Sequence, residues 1–344
     1  MYSCEEEERG LDTTPTKVSE TTQSPKVCRI CYSQADHQVY EVREMQFGTR
    51  EPFQYFECCE CKCLQPVYVP ADLSRYYPAT YESLNQQPPD NFRGAIKNKL
   101  KAFKTRFAIS GRGYLGRFLE ATRPKSDPGI KALSLIKPSR HARILDVGCG
   151  SGHRLYELKN AGFHRLLGVD PFIRSDIHYP NGLTIKKQTL EEVEGDWDVI
   201  MFHHSFEHLI DPLAALKLAS KLVVSGGTCL IRVPTTSSWA WETYREHWAQ
   251  IDAPRHIIIP SEQGLALLAS HAGFNVEQVE FDSTEFQFLA SMFYRDDIAW
   301  NEARSRADLQ PMFHTNSTSS FKQDAEKLNR QRRGDQLVCV MRKA

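Results

Sequence analysis

The chain is expected to fold as an α/β protein, with a doubly wound, mostly parallel sheet over residues 139–344 behind a small cysteine-rich module. Three observations carry that expectation. From about Ser139, apolar runs of strand length alternate with helical repeats; a glycine-rich turn, ILDVGCGSG, closes the first of those runs; and six of the ten cysteines crowd between Cys28 and Cys63. Such alternation implies parallel strands covered on both faces, with ligands bound outside their carboxyl ends.

The bulk numbers narrow the function. At 344 residues and 41% hydrophobic content there is material for a large domain and a smaller one. Lys+Arg and Asp+Glu both number 43, so the net charge is zero. That balance disfavours a protein whose main task is to neutralise a nucleic-acid backbone or an anionic membrane, and favours a small uncharged or locally recognised substrate. No apolar run reaches the roughly 20 residues that span a bilayer, and no basic start precedes an apolar leader. A soluble, cytoplasmic protein without membrane insertion is expected, with nucleic acid an unfavoured partner.

In chain order, residues 1–25 are acidic and rich in Ser, Thr and Pro, too poor in apolar groups to offset their ordering entropy, and are expected to be disordered. Residues 26–70 form the cysteine-rich module. Residues 71–138 are a connector whose basic stretch, residues 91–121, has apolar side chains at helical intervals and reads as surface helices. The sheet domain then begins with the strand ARILDV, the helix RLYELKNAGF with its glycine stop, and the strand RLLGVD. WDVIMF is a further strand, and DPLAALKLASKL a helix with Asp211 as N-cap and Pro212 at its first position. TCLIRVP, VEQVEF and QLVCVMR are strands, separated by a helix starting at Ser261 and another over residues 321–331.

The turn itself carries chemistry. Gly148, Gly150 and Gly152 allow a sharp bend and close approach of a ligand to the backbone. Asp170 ends the next strand, twenty positions after Gly150, where a carboxylate can accept from both hydroxyls of a ribose. His153 stands where a dinucleotide fingerprint wants its third glycine, which argues against a pyrophosphate guest. These residues resemble the class I S-adenosylmethionine-dependent methyltransferases, over roughly residues 139–344. The resemblance implies a Rossmann-like, mostly parallel seven-stranded sheet and S-adenosyl-L-methionine as cofactor. It places Asp146, Gly148, Cys149, Gly150 and Gly152 around the methionine portion and Asp170 on the ribose, and His203 is assigned to the same side.

MFHHSFEHLIDP, residues 201–212, ends the fourth strand and opens on the same edge as the glycine turn. Adjacent strand side chains diverge, so His203 and His204 are not expected to share a metal, and the two-turn helical spacing of a zinc-binding histidine pair is missing. An acid–base role is expected instead, with His204 as first nominee for the base and His208 and Glu207 as second. Glu207, His208, Asp211 and Pro212 also match a Glu-His and Asp-Pro pattern of the methyltransferases resembled. Further on, Trp241, Tyr244 and Trp248 recur at helical spacing and read as core. Asp252 and His256 flank the polar turn IDAPRH and are substrate-side candidates. With RVPT, FHHSFEH and DSTEFQF, this turn resembles methyltransferases of polysaccharide and other glycan assembly.

Cys28/Cys31 and Cys58/Cys61 are two Cys-x-x-Cys pairs, the donor set of a structural four-thiolate zinc site. Cys59, Cys63 and, more remotely, His37 are alternative donors. Sugar C-methyltransferases are similar here as well, with a cysteine-paired module followed by CLQP and a tyrosine-rich segment. The functional expectation is O- or C-methylation of a glycan precursor or nucleotide-sugar, with an RNA methyltransferase or a non-catalytic cofactor-binding protein as the alternatives.

Overall fold

A computed structural model describes residues 26–78, 92–122, 127–314 and 316–344. The expected disordered tail, residues 1–25, and most of the Gln/Pro-rich part of the connector lie outside the described residues.

The N-terminal module is a three-stranded antiparallel meander, β1 (Gln38–Arg43), β2 (Pro52–Glu57) and β3 (Leu64–Pro66). Two cysteine turns flank it, Cys28 to Cys31 before β1 and Cys58 to Cys61 between β2 and β3. Next come the connector helices α1 (Phe92–Ser110), α2 (Tyr114–Thr122) and α3 (Pro128–Ala132). Asp127 caps α3 by accepting from the Ile130 amide at 3.0 Å. Ile109 of α1 and Ile130 of α3 pack in one cluster with Ile144 and Leu155, so the connector covers one face of the sheet.

The main sheet has eight strands, β4 (Arg143–Val147), β5 (Arg165–Val169), β6 (Ile177–His178), β7 (Thr184–Lys186), β8 (Trp197–His203), β9 (Val223–Pro234), β10 (Phe274–Phe281) and β11 (Gln336–Lys343). Their spatial order is β10-β11-β9-β8-β4-β5-β7-β6. The five strands from β9 to β7 run parallel, while β6, β10 and β11 are antiparallel to their neighbours. The expected seven-stranded layout is there, with the two-residue β6 added at one edge. Helices α4 (His153–Asn160), α5 (Pro212–Leu222) and α7 (Glu262–His271) occupy the expected crossovers; α6 (Trp239–Tyr244) begins the segment after β9. After β10 come α8 (Phe286–Arg295), α9 (Trp300–Ser305), α10 (Gln310–His314) and α11 (Asn316–Arg330).

Strand order reverses at β4: the chain leaves it for β5 and β7 on one side and then crosses back to β8 and β9 on the other, so the crevice at their carboxyl ends is the natural ligand site. The N-terminal module docks beside that crevice. Leu64 and Ile259 exchange backbone hydrogen bonds at 2.9 and 2.8 Å. Trp241, Tyr244 and Trp248 are buried, as expected for core, and the core they build is the junction with Val42, Tyr55 and Leu64 of the module. Among the described residues, no helix is long and apolar enough to cross a membrane.

Candidate functional site

On the cofactor side, Gly148, Gly150 and Gly152 adopt φ of +69°, +56° and +77°. At Gly152 even a methyl would meet Ile185 Cδ1 at 2.2 Å, and at Gly148 it would meet Ser205 Cβ at 2.5 Å. The bend is thus sterically closed to other residues. Asp170 organises it: one carboxylate oxygen accepts from the Gly150 amide and the other from the Phe172 amide, both at 2.8 Å. Each oxygen keeps a second lone pair. The Cys149 thiol packs near Gly168, where an added Cβ would lie 2.6 Å from its sulfur; burial pushes its pKa well up and keeps it a protonated thiol.

Asp146 is paired in register with Met201, so His203, two residues further on, projects from the same face of the sheet. Both are buried, and neither the two oxygens of Asp146 nor the two ring nitrogens of His203 has a hydrogen-bond partner. Buried polar groups are normally satisfied, so four orphaned atoms at adjacent strand ends mark a place for polar ligand groups. Burial raises the Asp146 carboxyl to about 7 against the pull of Arg154, whose Nη1 lies 3.7 Å away; Asp170 and Asp127 add to the rise. Burial, with Arg154, Arg232 and His204 nearby, holds His203 well below its ordinary range, so the ring is neutral.

The histidine stretch leaves the strand at once. β8 ends at His203, and His204 turns to φ +51° while its amide donates to the Arg232 carbonyl at 2.9 Å. The Ser205 hydroxyl fixes the loop to the Val147 carbonyl at 2.6 Å. Both nitrogens of His204 are engaged, Nδ1 by Glu207 Oε1 at 2.9 Å and Nε2 by the Arg232 guanidinium. Because arginine can only donate, Nε2 accepts and Nδ1 carries the hydrogen toward Glu207. Arg232 is itself held by Asp282 at 2.5 Å and Gln336 at 2.7 Å.

Glu207 has no exposed surface, yet its carboxyl sits at about 2: burial opposes the charge, and the His204 bond, His256 and His208 outweigh it. Its Oε2 has no partner. The Ile257 and Ile258 amides donate to the Glu207 carbonyl at 2.7 and 3.0 Å, which brings the IDAPRH turn alongside. There His256 Nδ1 meets the Gln250 carbonyl at 2.7 Å, and His208 Nδ1 meets the Arg255 carbonyl at 2.8 Å and the Tyr77 hydroxyl at 3.2 Å. The two rings stand edge to face, centroids 4.9 Å apart. His256 Nε2 lies 3.9 Å from Glu207 Oε1 and 3.7 Å from Asp252 Oδ2. Burial lowers the His208 pKa, with His256 adding to the effect.

Asp252 is bound to Arg255 at 2.6 and 3.0 Å, and the fully buried Arg255 also reaches Glu44 at 2.8 Å and the Tyr76 carbonyl at 3.1 Å. Tyr55 of β2 donates to the His256 carbonyl at 2.8 Å. The module therefore fixes the loop that carries Asp252 and His256. Sequence reading missed Glu44, Tyr77, Arg154, Arg232 and Arg255. A charged residue inside an apolar run, as Arg232 is in CLIRVP, was the available signal for one of them.

In the module, the sulfurs of Cys28, Cys31, Cys58 and Cys61 lie within 4.8 Å of one another, with Cys28–Cys61 at 3.5 Å and Cys31–Cys58 at 3.4 Å. A tetrahedron with zinc–sulfur arms of about 2.3 Å separates its corners by about 3.8 Å, so the quartet fits with small adjustments. The alternative donors are placed elsewhere. Cys63 packs on Ser261 and Gly264, and His37 stacks on Phe56 and accepts from the Cys59 amide at 3.4 Å. The Cys61 sulfur and burial push the Cys28 thiol up to about 12.

The sequence pattern of a methyltransferase domain matches residues 115–279. A tRNA U34 carboxymethyltransferase of Alteromonas mediterranea is 25% identical over 178 residues, 44% of this chain and 51% of its own. A ubiquinone biosynthesis O-methyltransferase of Erwinia tasmaniensis is 28% identical over 109 residues, 29% of this chain and 45% of its own. The chain thus spans about half the length of these relatives. Among solved structures, an S-adenosylmethionine-dependent methyltransferase of Thermotoga maritima aligns with a TM-score of 0.40 at 17% identity, covering 70% of this chain and 99% of that one.

Proposed function

We propose, from the premise that residues 115–279 are a methyltransferase domain, that this protein moves a methyl group from S-adenosylmethionine to a hydroxyl or carbon acid of a small polar acceptor such as a sugar unit. The observation that carries the reading is the set of orphaned atoms on Asp146 and His203 beside the glycine bend. An amino-acid end fits there, its ammonium on Asp146 and its carboxylate on Arg154, while Asp170 retains lone pairs for a ribose diol. The backbone of Gly148, Cys149, Gly150 and Gly152 lets the donor approach. When bound, the donor supplies an electrophilic methyl group on sulfur. The chain's own contribution is alignment, which can supply on the order of 7 kcal/mol, and handling of the acceptor's proton.

The acceptor side is Glu207, His208, Asp252 and His256. His204 is a positioning residue, since its two nitrogens are committed to Glu207 and Arg232. Zinc on Cys28, Cys31, Cys58 and Cys61 would be structural, all four ligands coming from the protein, and would hold the module that supports the IDAPRH turn. The sugar reading rests on the glycan-type segments of the sequence. A second reading, RNA as acceptor, is favoured by residues 92–122, which hold eight Lys/Arg against the single acid Glu120.

Incubation with S-adenosylmethionine and panels of nucleotide-sugars, oligosaccharides and transfer RNA, read by mass spectrometry, tests the reading. Methylated sugar supports it, methylated RNA moves the acceptor to the second reading, and donor binding without product across the panels points to a non-catalytic cofactor-binding protein.

A further inference from the structure

Spacing along residues 201–212 argues against a shared metal, but the fold brings a ligand from a loop 48 residues beyond His208. One candidate ligand atom from each of Glu207, His208 and His256 lies within 4.8 Å of the others. In both histidines Nδ1 faces a backbone carbonyl, of Arg255 and of Gln250. A carbonyl only accepts, so Nδ1 carries the hydrogen and Nε2 the lone pair. This is how metal-ligating imidazoles are oriented by their surroundings. Glu207 adds a buried carboxylate with Oε1 on His204 and Oε2 on no partner. The nearby cations are already matched, Arg255 by Glu44 and Asp252, Arg232 by Asp282.

We propose that Glu207, His208 and His256 bind a divalent transition-metal ion of the zinc class. Two imidazoles and one carboxylate favour zinc, cobalt or iron over magnesium and calcium. Ligands on arms of about 2.1 Å lie about 3.4 Å apart at a tetrahedral ion, so the 3.9 Å between His256 Nε2 and Glu207 Oε1 closes by about half an ångström. Three protein ligands leave one position of a tetrahedral ion open. If the methyl-transfer reading holds, that position takes the acceptor oxygen and eases its deprotonation; the ion site itself stands without that reading.

The test is metal content and cobalt spectroscopy of the full chain, equilibrated with zinc or cobalt. Wild type should hold two equivalents: one with the near-ultraviolet thiolate-to-cobalt band of the cysteine quartet, one with only weak visible bands. His256→Ala and the shape-conserving Glu207→Gln should each lose the second equivalent and keep the thiolate band, which also reports that the module is folded. A single equivalent in wild type, or two in both Glu207→Gln and His256→Ala, overturns the site. Calorimetry with S-adenosylmethionine on the same samples separates the readings: normal donor binding with one metal removes only this site, and two metals without donor binding removes only the donor reading.

Discussion

Glu44 is the residue through which the N-terminal module holds the acceptor-side loop, and its replacement by glutamine has a calculable consequence. The buried carboxylate accepts from the Phe47 and Thr49 amides at 3.0 Å each, from the Thr49 hydroxyl at 3.2 Å and from Arg255 at 2.8 Å. Glutamine keeps the shape, but its amide nitrogen cannot accept, and the charge opposite a fully buried guanidinium is gone. Breaking one side of a buried ion pair costs about 3–5 kcal/mol. Arg255 keeps Asp252 and the Tyr76 carbonyl, so the low end, about 3 kcal/mol, applies. With an unfolding entropy of about 2.1 cal/mol/K per residue, a chain of this length loses roughly 4 °C in Tm. Differential scanning calorimetry reads that shift, with the exposed Glu41→Gln as control. Because the loop carries His256, turnover should fall while donor affinity holds. A Tm within about 1 °C of wild type would refute the reasoning, since Asp252 alone would then suffice to balance Arg255.

Three further outcomes follow from the same geometry. Gly152→Ala places a methyl 2.2 Å from Ile185 Cδ1 at φ +77°; left-handed strain and overpacking together should cost roughly 2 kcal/mol or more and weaken donor binding, read by thermal melts and calorimetry. Asp146, raised to about 7 from an ordinary 3.8 by burial, keeps a proton in the fold that the unfolded chain has lost, so stability falls as pH rises from about 4 to 7. The ionised form is the one an ammonium pairs with, so donor affinity should climb with pH toward about 7, and Asp146→Asn should flatten both profiles. Cys31→Ser should lose the module's zinc and lower Tm, whereas Cys59→Ser, outside the quartet, should do neither.

Much of the sheet was legible because its signals are local. The run ended by Gly148, the cap at Asp211 with Pro212, and the helix start at Ser261 recur in the structure at the expected positions. The short β7 was not legible, three residues being too few for a period to show. The glycine bend and the cysteine quartet could be read because their members are neighbours in sequence. The acceptor side could not be assembled the same way. Glu44, Arg255 and His256 meet only through tertiary packing, and the engagement of both His204 nitrogens depends on Arg232 of β9, which lies beside β8 in the sheet. The spacing argument against a metal between His203 and His204 holds for that pair, but it says nothing of a ligand arriving from another loop.

The central claim is that the crevice between β4 and β8 receives S-adenosylmethionine. Isothermal titration of the folded full chain with that donor tests it most directly, together with Asp170→Ala and Asp146→Asn at the same pH. The account requires one saturable site in wild type and at least a tenfold weaker site in each variant, the equivalent of about 1.4 kcal/mol. A flat titration on folded protein, or wild-type affinity in both variants, would contradict it.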